Sequence, residues 1–238
     1  MNIEFHVHTR YSSDSILNKY LILLMCKIKK IDGIAITDHN EIMGAIEYKK
    51  ILEKHKISVI IGEEIFTTKG EIIGLFLKEK IEPFLSPQET IKQIRMQSGL
   101  VYIPHPYDLK REKSVLKEEY IQEFSNEIDL IEIHNGRNIS DDYDTKQKNI
   151  SDRCNILPII GSDAHTFFEL GRNYVIFENA ISKENLRESI KNSKFITKKC
   201  IRFSHIYTKY IKLLKMLLRG DINGIYRIIN RRCKGKEY

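Results

Sequence analysis

Residues 2–14 read Asn2-Ile-Glu-Phe-His6-Val-His8-Thr-Arg10-Tyr-Ser-Ser-Asp14. A short apolar run ends in two histidines two residues apart, and in an extended strand that spacing puts both imidazoles on one face. Two neutral imidazoles sharing a face can begin a transition-metal site. The pair alone is equally compatible with two solvated or hydrogen-bonded histidines at a strand end. What separates the two readings is whether other strands also end in ligands.

Beyond this stretch, short β-branched runs alternate with helical patterns, as expected of βα units and a mainly parallel sheet. Strands are expected at 2–7, 33–37, 58–61 with a continuation to 67, 71–77, 100–103, 128–133, 156–160 and 173–177. Helices are expected at 15–29 with Asp14 or Ser15 as the cap, at 40–55, at 86–97 after Ser86-Pro87, at 114–124, at 142–153 and from Ile181 onward. Such alternation favours a barrel over an open sheet.

The strand ends are where the chemistry gathers. The first is followed by His6, His8 and Asp14, the second by Asp38-His39-Asn40, and the third runs into Gly62-Glu63-Glu64, with Glu71 after the next turn. Later units end in Pro104-His105-Pro106, in Glu132-Ile-His134-Asn135 and in Gly161-Ser-Asp163-Ala-His165. In βα architectures the C-terminal strand ends converge on one mouth, where sites are built. Only His55 and His205 of the eight histidines lie elsewhere, which scattered core histidines do not explain. Imidazole and carboxylate donors without cysteine suit Mn, Fe or Zn, and so many donors imply two or three ions. A bridging carboxylate such as Glu64 would hold them ~3.5–4 Å apart. Such sites most often hydrolyse phosphate esters or amides, because the ions lower the pKa of a bound water and clamp the attacking and leaving oxygens. A purely structural site would be small, closed and usually thiolate-ligated.

The motifs His6-x-His8-Thr-x-x-x-Ser-Asp14, Ile-Thr-Asp38-His39-Asn, Gly62-x-Glu64, Pro-His105-Pro and Ser-Asp163-Ala-His165 resemble, in order, those of the PHP (polymerase and histidinol phosphatase) superfamily. The resemblance covers about residues 3–177. It implies a distorted seven-stranded (β/α) barrel, TIM-like, with a di- or trinuclear centre at its mouth. It also implies phosphoesterase activity, that of a phosphoric ester hydrolase, on a phosphorylated small molecule or a nucleotide end. Carried over residue by residue, it assigns His6, His8, Glu64 and Asp163 to one metal and Asp14, His39 and His165 to another. His105 would share a third with Glu64. Asp38 is expected to serve catalysis by orienting His39 or a bound water. Where the family often has Gly-His, this chain has Gly70-Glu71. A carboxylate there makes the site harder and more anionic, favours Mn or Fe over Zn, and leaves open whether two or three ions bind.

Phosphate calls for cations besides the metals. Arg10, Arg111, Arg137 and Arg172 follow ligand-bearing strand ends, and guanidinium suits bidentate phosphate binding. Segments 105–111 and Asn135-Gly-Arg137 resemble family segments that line the mouth, so Asn135 joins the expected substrate contacts. His134 is read as a ligand, a proton donor to the leaving group, or a bystander.

The net charge of +7 is uneven. Residues 198–238 hold twelve Lys or Arg against Asp221 and Glu237, a net of +10, which leaves the body at −3. The chain is therefore divided into a barrel at 1–197 and a basic helical C-terminal extension at 198–238. In the extension Ile206, Tyr210, Leu213, Leu214 and Leu217 recur at helical spacing, with Lys209, Lys212, Lys215 and Arg219 off that stripe. A second pattern at 222–229 precedes Arg231-Arg232. If the stripe packs on the barrel, the lysines are solvated. The other readings are a basic rim for an oligonucleotide or a helix lying on an anionic membrane. Cys26, Cys154, Cys200 and Cys233 are too dispersed for a zinc knuckle or a disulfide framework, which points to free thiols. The longest apolar run, residues 20–26, is far short of the ~20 residues of a transmembrane helix. A soluble, cytoplasmic protein is expected. The substrate expected is a phosphomonoester or a nucleotide or oligonucleotide phosphate. The alternatives are a protein phosphotyrosine substrate, or a non-catalytic module whose metals hold the fold while the tail binds nucleic acid or a protein partner.

Overall fold

Strand β1 (Asn2–Val7) is where the sheet closes on itself. Along its first half it pairs with β2 (Gly33–Ile36) in parallel and with β8 (Tyr174–Ile176) in antiparallel fashion. At its far end the chain leaving β7 (Leu157–Gly161) takes over: Ser162 N donates to the Phe5 carbonyl at 2.8 Å, and His8 N donates to the Ala164 carbonyl at 2.9 Å. The structure is a computed structural model and describes residues 1–108, 111, 114–222, 224 and 226. The tail pattern at 222–229, Arg231, Arg232 and Cys233 therefore lie largely or wholly outside the described residues.

The sheet runs β7-β6-β5-β4-β3-β2-β1-β8-β9 and curls into a nearly closed barrel. The remaining strands are β3 (Ser58–Thr67), β4 (Gly70–Leu75), β5 (Leu100–Ile103), β6 (Leu130–Asn135) and β9 (Lys194–Ile196). Nine mixed strands replace the expected seven. β4 and β8 run against the others, because a tight hairpin joins β3 to β4 and β8 returns beside β1. At three residues, β9 is too short to show alternation in sequence.

Seven α-helices form among the described residues: α1 (Lys19–Lys29), α2 (Met43–Leu52), α3 (Pro87–Met96), α4 (Glu118–Glu123), α5 (Asp141–Cys154), α6 (Leu186–Lys191) and α7 (Arg202–Leu218). α1 starts four residues later than expected. Asn18, not Asp14 or Ser15, caps it by accepting from Tyr20 N and Leu21 N, which leaves residues 9–17 as a loop over the mouth. Ser86 caps α3 as expected. Along β2, Ile34 and Ile36 pack against α1 and α2 residues such as Ile22 and Tyr48, while Ala35 faces a second cluster with Phe5, Ile73 and Tyr102. The lower barrel is thus filled by apolar side chains, and the polar groups are left to its upper end.

The basic tail does not stand apart. α7 lies across the mouth on its polar side, burying Ser204, Thr208 and Ile211. Lys215 Nζ donates to the carbonyls of Arg10, Ser12 and Ser15 at 3.0, 2.7 and 2.6 Å. The apolar stripe expected to pack on the barrel is turned to solvent: Ile206, Tyr210, Leu214 and Leu217 are all exposed. The physical reason is the nature of the mouth. Its surface is made of loop carbonyls and charged side chains, which the hydroxyl and ammonium face of the helix satisfies and an apolar face would leave unpaired. No helix among the described residues is long and apolar enough to cross a membrane.

Gly70, at the tip of the β3–β4 hairpin, has φ 135°, and a Cβ there would come within 2.5–2.6 Å of the Val115–Leu116 backbone. Gly70→Ala is expected to destabilise the fold by at least ~2 kcal/mol, combining backbone strain with the clash. Denaturant unfolding checks this, and a change below about 0.5 kcal/mol would show that the 115–116 loop yields freely.

Candidate metal centre

Four histidines converge on one buried carboxylate. Glu64 Oε1 lies 2.8 Å from His105 Nε2 and 3.4 Å from His6 Nε2, while Oε2 lies 2.9 Å from His39 Nδ1 and 3.3 Å from His8 Nε2. The chain leaving β7 adds Asp163, with Oδ1 3.7 and 3.4 Å from His6 and His8 Nε2. It also adds His165, whose Nε2 is 3.4 Å from Asp14 Oδ1. His39 Nε2 approaches that same oxygen at 3.8 Å. Glu71 completes the ring from β4, 3.7 Å from His39 Nδ1 and 3.6 Å from His105 Nε2. All nine residues singled out as ligands therefore share one site. Eight of them fall into overlapping trios: His6, His8 and Asp163; His8, His39 and His165; His6, Glu64 and His105; His39, Glu64 and Glu71, with Asp14 beside the second.

This donor set fits divalent cations. Eight of its buried atoms lack a hydrogen-bond partner: Nε2 of His6, His8 and His165, Nδ1 of His105, Oδ1 of Asp14 and Asp163, and Oε2 of Glu64 and Glu71. Each buried, unsatisfied polar atom costs roughly 1–3 kcal/mol, so such a concentration is tolerable when cations sit among the atoms. The electrostatics agree. Burial alone would lower His6, but Glu64, Asp163 and Glu132 raise it well above the usual imidazole range. His8 is held well below that range by burial and by His165 and His39. Burial would raise Asp163, yet Arg111 and His6 hold it well below the usual carboxylate range. Glu71 is pushed up by burial and by Glu64.

Backbone strain aims several of these groups. His6, His105 and Asp163 all have positive φ, at 63°, 32° and 51°, a region non-glycine residues occupy at a cost of order 1–3 kcal/mol each. At His6 the β1–β2 register slips between Glu4 and Val7, so a bulge and not simple alternation turns both His6 and His8 into the site.

A second ring of contacts fixes the imidazoles. His6 Nδ1 lies 2.7 Å from Glu132 Oε1, and Glu132 also accepts from Tyr102 OH, His105 N and Asn135 Nδ2. Glu132 is a carboxylate, so it holds a proton on His6 Nδ1, and a neutral His6 would turn its Nε2 lone pair into the cluster. Ser12 Oγ donates to Asp38 Oδ1 at 2.6 Å and so accepts from His8 Nδ1 at 3.1 Å, with the same result for His8. Asp38 is fully buried and accepts from Thr9 N, Thr9 Oγ1, Ser12 N and Ser12 Oγ. Both oxygens hold the 9–12 loop, and through Ser12 Oγ, which His8 Nδ1 and His39 N each approach at 3.1 Å, Asp38 reaches both histidines.

Above the cluster opens a cavity of about 570 Å³ lined by Asp14, His39, Glu71, Arg111, Arg137 and His165, and by His205, Thr208, Lys209 and Lys212 near or on α7. Arg111 is paired with Asp163 Oδ2 and lies 3.2 Å from Asp108. Arg137 donates to Thr208 Oγ1 at 2.8 Å and sits 3.4 Å from Glu169. The other expected substrate contacts lie elsewhere. Arg10 points outward, 4.0 Å from Glu47 and over the Tyr11 ring. Arg172 donates to the Lys199 carbonyl. Asn135 is buried, bridging Glu132 and Arg137 N. His134 faces a separate cavity with Asn138 and Lys199, its Nδ1 2.6 Å from Asp144 Oδ2. The cause is a bulge between Glu132 and His134, which sends Glu132 and Asn135 inward and His134 outward. Neither a ligand role nor proton donation at the metal cluster is open to it.

Sequence reading did not single out Glu132, Ser12 and Tyr102 as members of the site. A charged residue inside the apolar run of β6 was the available signal for Glu132. Lys209 and Lys212 are marked in the sequence as the basic side of a helical pattern, with a rim for an oligonucleotide as one of three readings. Their place on the cavity wall depends on how that helix docks, which no local pattern gives.

A barrel mouth ringed by such donors defines a metal-dependent class, and comparison with known proteins gives the family. The chain belongs to the PHP domain family, which matches it over residues 4–230. It is 35% identical over 180 residues to the uncharacterized protein MJ0417 of Methanocaldococcus jannaschii, covering 74% of this chain and 70% of that protein. It is 47% identical over 117 residues to the uncharacterized protein MJ1587 of the same organism, covering 45% of this chain and 68% of that one. In fold it is similar to a two-domain protein from Bacteroides vulgatus containing a predicted PHP-like metal-dependent phosphoesterase, with a TM-score of 0.66 and 16% identity. That match covers 83% of this chain and 64% of the larger one.

Two measurements probe the centre. Mn²⁺ at about 100 times its Kd is expected to add about 2.7 kcal/mol of stability, seen as a thermal shift of several degrees that chelation reverses. Glu132→Gln is expected to weaken Mn²⁺ binding about 10–100-fold in calorimetry, because His6 loses its anionic partner.

Proposed function

We propose that the protein is a metal-dependent phosphoesterase that hydrolyses a phosphomonoester or a nucleotide or oligonucleotide phosphate. One observation carries this reading: nine imidazole and carboxylate groups, eight of their buried atoms without a hydrogen-bond partner, lie beneath a cavity whose walls include Arg111, Arg137, Lys209 and Lys212. Two or three divalent ions, Mn, Fe or Zn, fit this donor set. Glu71 in place of a histidine favours the harder ions. When bound, they supply Lewis acidity and lower the pKa of a coordinated water.

The chain's own groups then have defined parts. His6, His8, Glu64 and Asp163 hold one ion, Asp14, His39 and His165 another, and His105 with Glu64 and Glu71 the place of a third. Ser12, Asp38 and Glu132 keep the imidazole lone pairs aimed inward. Arg111 stands beside Asp163 and offers a guanidinium to a phosphoryl oxygen, neutralising charge as it builds. Lys209 and Lys212, one helical turn apart on the cavity wall, suit a second phosphate or a neighbouring nucleotide, which favours polyanionic substrates over simple monoesters. Arg10, Arg172 and His134 have no part in this reading.

Turnover of p-nitrophenyl phosphate, nucleotide bisphosphates and short oligonucleotides with Mn²⁺ tests it. His8→Ala and Asp163→Ala are expected to abolish activity while the circular dichroism spectrum is retained. Arg111→Ala is expected to lower kcat/KM about 10²-fold, with Arg111→Lys recovering part of the loss. A well-folded, metal-loaded wild type that turns over none of these substrates would favour the non-catalytic module.

A further inference from the structure

The outward face of α7 is unusual for a soluble surface. Phe203, Ile206, Tyr210, Leu214, Leu217 and Leu218 are between 54% and 79% exposed. At about 100° per residue they fall in one arc of roughly 120° along a helix ~25 Å long. At its N-terminal end the arc continues into an aromatic cluster, with Phe168 6.5 Å from Phe203 and 5.8 Å from Tyr207 between ring centroids, and Phe167 beside it. Large contiguous apolar patches of this kind mark interaction surfaces.

Charge decides what that surface meets. Arg202 and Lys209 lie along one edge of the arc, and residues 202–219 hold five cations and no acidic residue. A second copy packed face to face would bring two such segments together, and like charges at that density repel. A partner with an apolar interior beneath an anionic surface satisfies both features. We infer that α7 docks the protein on anionic phospholipid bilayers, lying in the interface plane with its apolar arc sunk below the headgroups, Arg202 at their phosphates and the remaining positive charge of the helix drawing it to the anionic surface. The geometry is compatible with an accessible site. Thr208 and Lys212 line the cavity from sides of the helix away from the arc, and Lys209 lines it from beside the arc's edge. Lys215 is committed to three loop carbonyls and fixes the helix with this arc outward. The inference rests on exposure and charge alone and stands whether or not the protein hydrolyses phosphate esters.

The test is flotation of the full chain with vesicles of equal parts phosphatidylcholine and phosphatidylglycerol, against vesicles of phosphatidylcholine alone. Binding is expected on the anionic vesicles only, and Leu214→Glu combined with Leu217→Glu should weaken it at least about tenfold. Both side chains face solvent, so the thermal unfolding of the variant should match that of the wild type. Three results would overturn the inference. The wild type could ignore anionic vesicles. The double variant could bind as well as the wild type and lose binding only in salt, showing attraction by charge alone. Light scattering could show a dimer that the double variant dissolves while vesicles go unbound, assigning the face to a second copy.

Discussion

A carboxylate sealed inside a barrel is the constraint on which this structure turns. Glu64 is about 1% exposed, and burial would keep it protonated were it not for His6 and His39, which with His105 hold it well below the usual carboxylate range. Three histidines, delivered by β1, by the exit of β2 and by the exit of β5, stabilise one charge, and no single strand could bring them. The barrel does, because its strand ends point the same way. The remaining features follow: Glu132 and Ser12 to orient the rings, Asp38 to hold Ser12, and strained backbone at His6, His105 and Asp163 to aim them. The apolar clusters below supply the rigidity that keeps strained residues from relaxing.

Much of this was legible in the sequence, for a definite reason. Ligands for a shared site must recur at strand ends, so their spacing along the chain reports the fold and the site together. That is why His6, His8, His39, Glu64, His105, Asp163 and His165 could be placed before any coordinates. What stayed hidden was non-local or irregular. A one-residue bulge in β6 reverses the facing of His134, and no local pattern announces it. Arg10 and Arg172 follow ligand-bearing strands as Arg111 does, yet the loops carrying them turn away to Glu47 and to the Lys199 carbonyl. The antiparallel hairpin of β3 and β4 breaks the expected parallel order, although Gly70, with φ 135°, is the residue type such a turn requires.

The tail shows most plainly how pattern and packing part company. Its helical period was readable, but the face chosen for burial was the polar one. Amphipathicity tells which residues share a side, and the surface being covered decides which side goes in. Here that surface is a rim of carbonyls and ionised groups, so a hydroxyl, a histidine and a lysine make better neighbours than leucine.

Lys215 carries one more consequence. Its three hydrogen bonds reach back 200 to 205 residues, to the loop that carries Asp14, and β1 itself pairs with strands near residue 175. During synthesis the first loop therefore leaves the ribosome long before the helix that braces it. The nascent barrel passes through a stage with its ligands present but unassembled. Closure of the mouth is then a late, high-contact-order event, slow relative to helix formation. A half-made chain lacks Asp163 and His165 and so holds no finished cluster of donors.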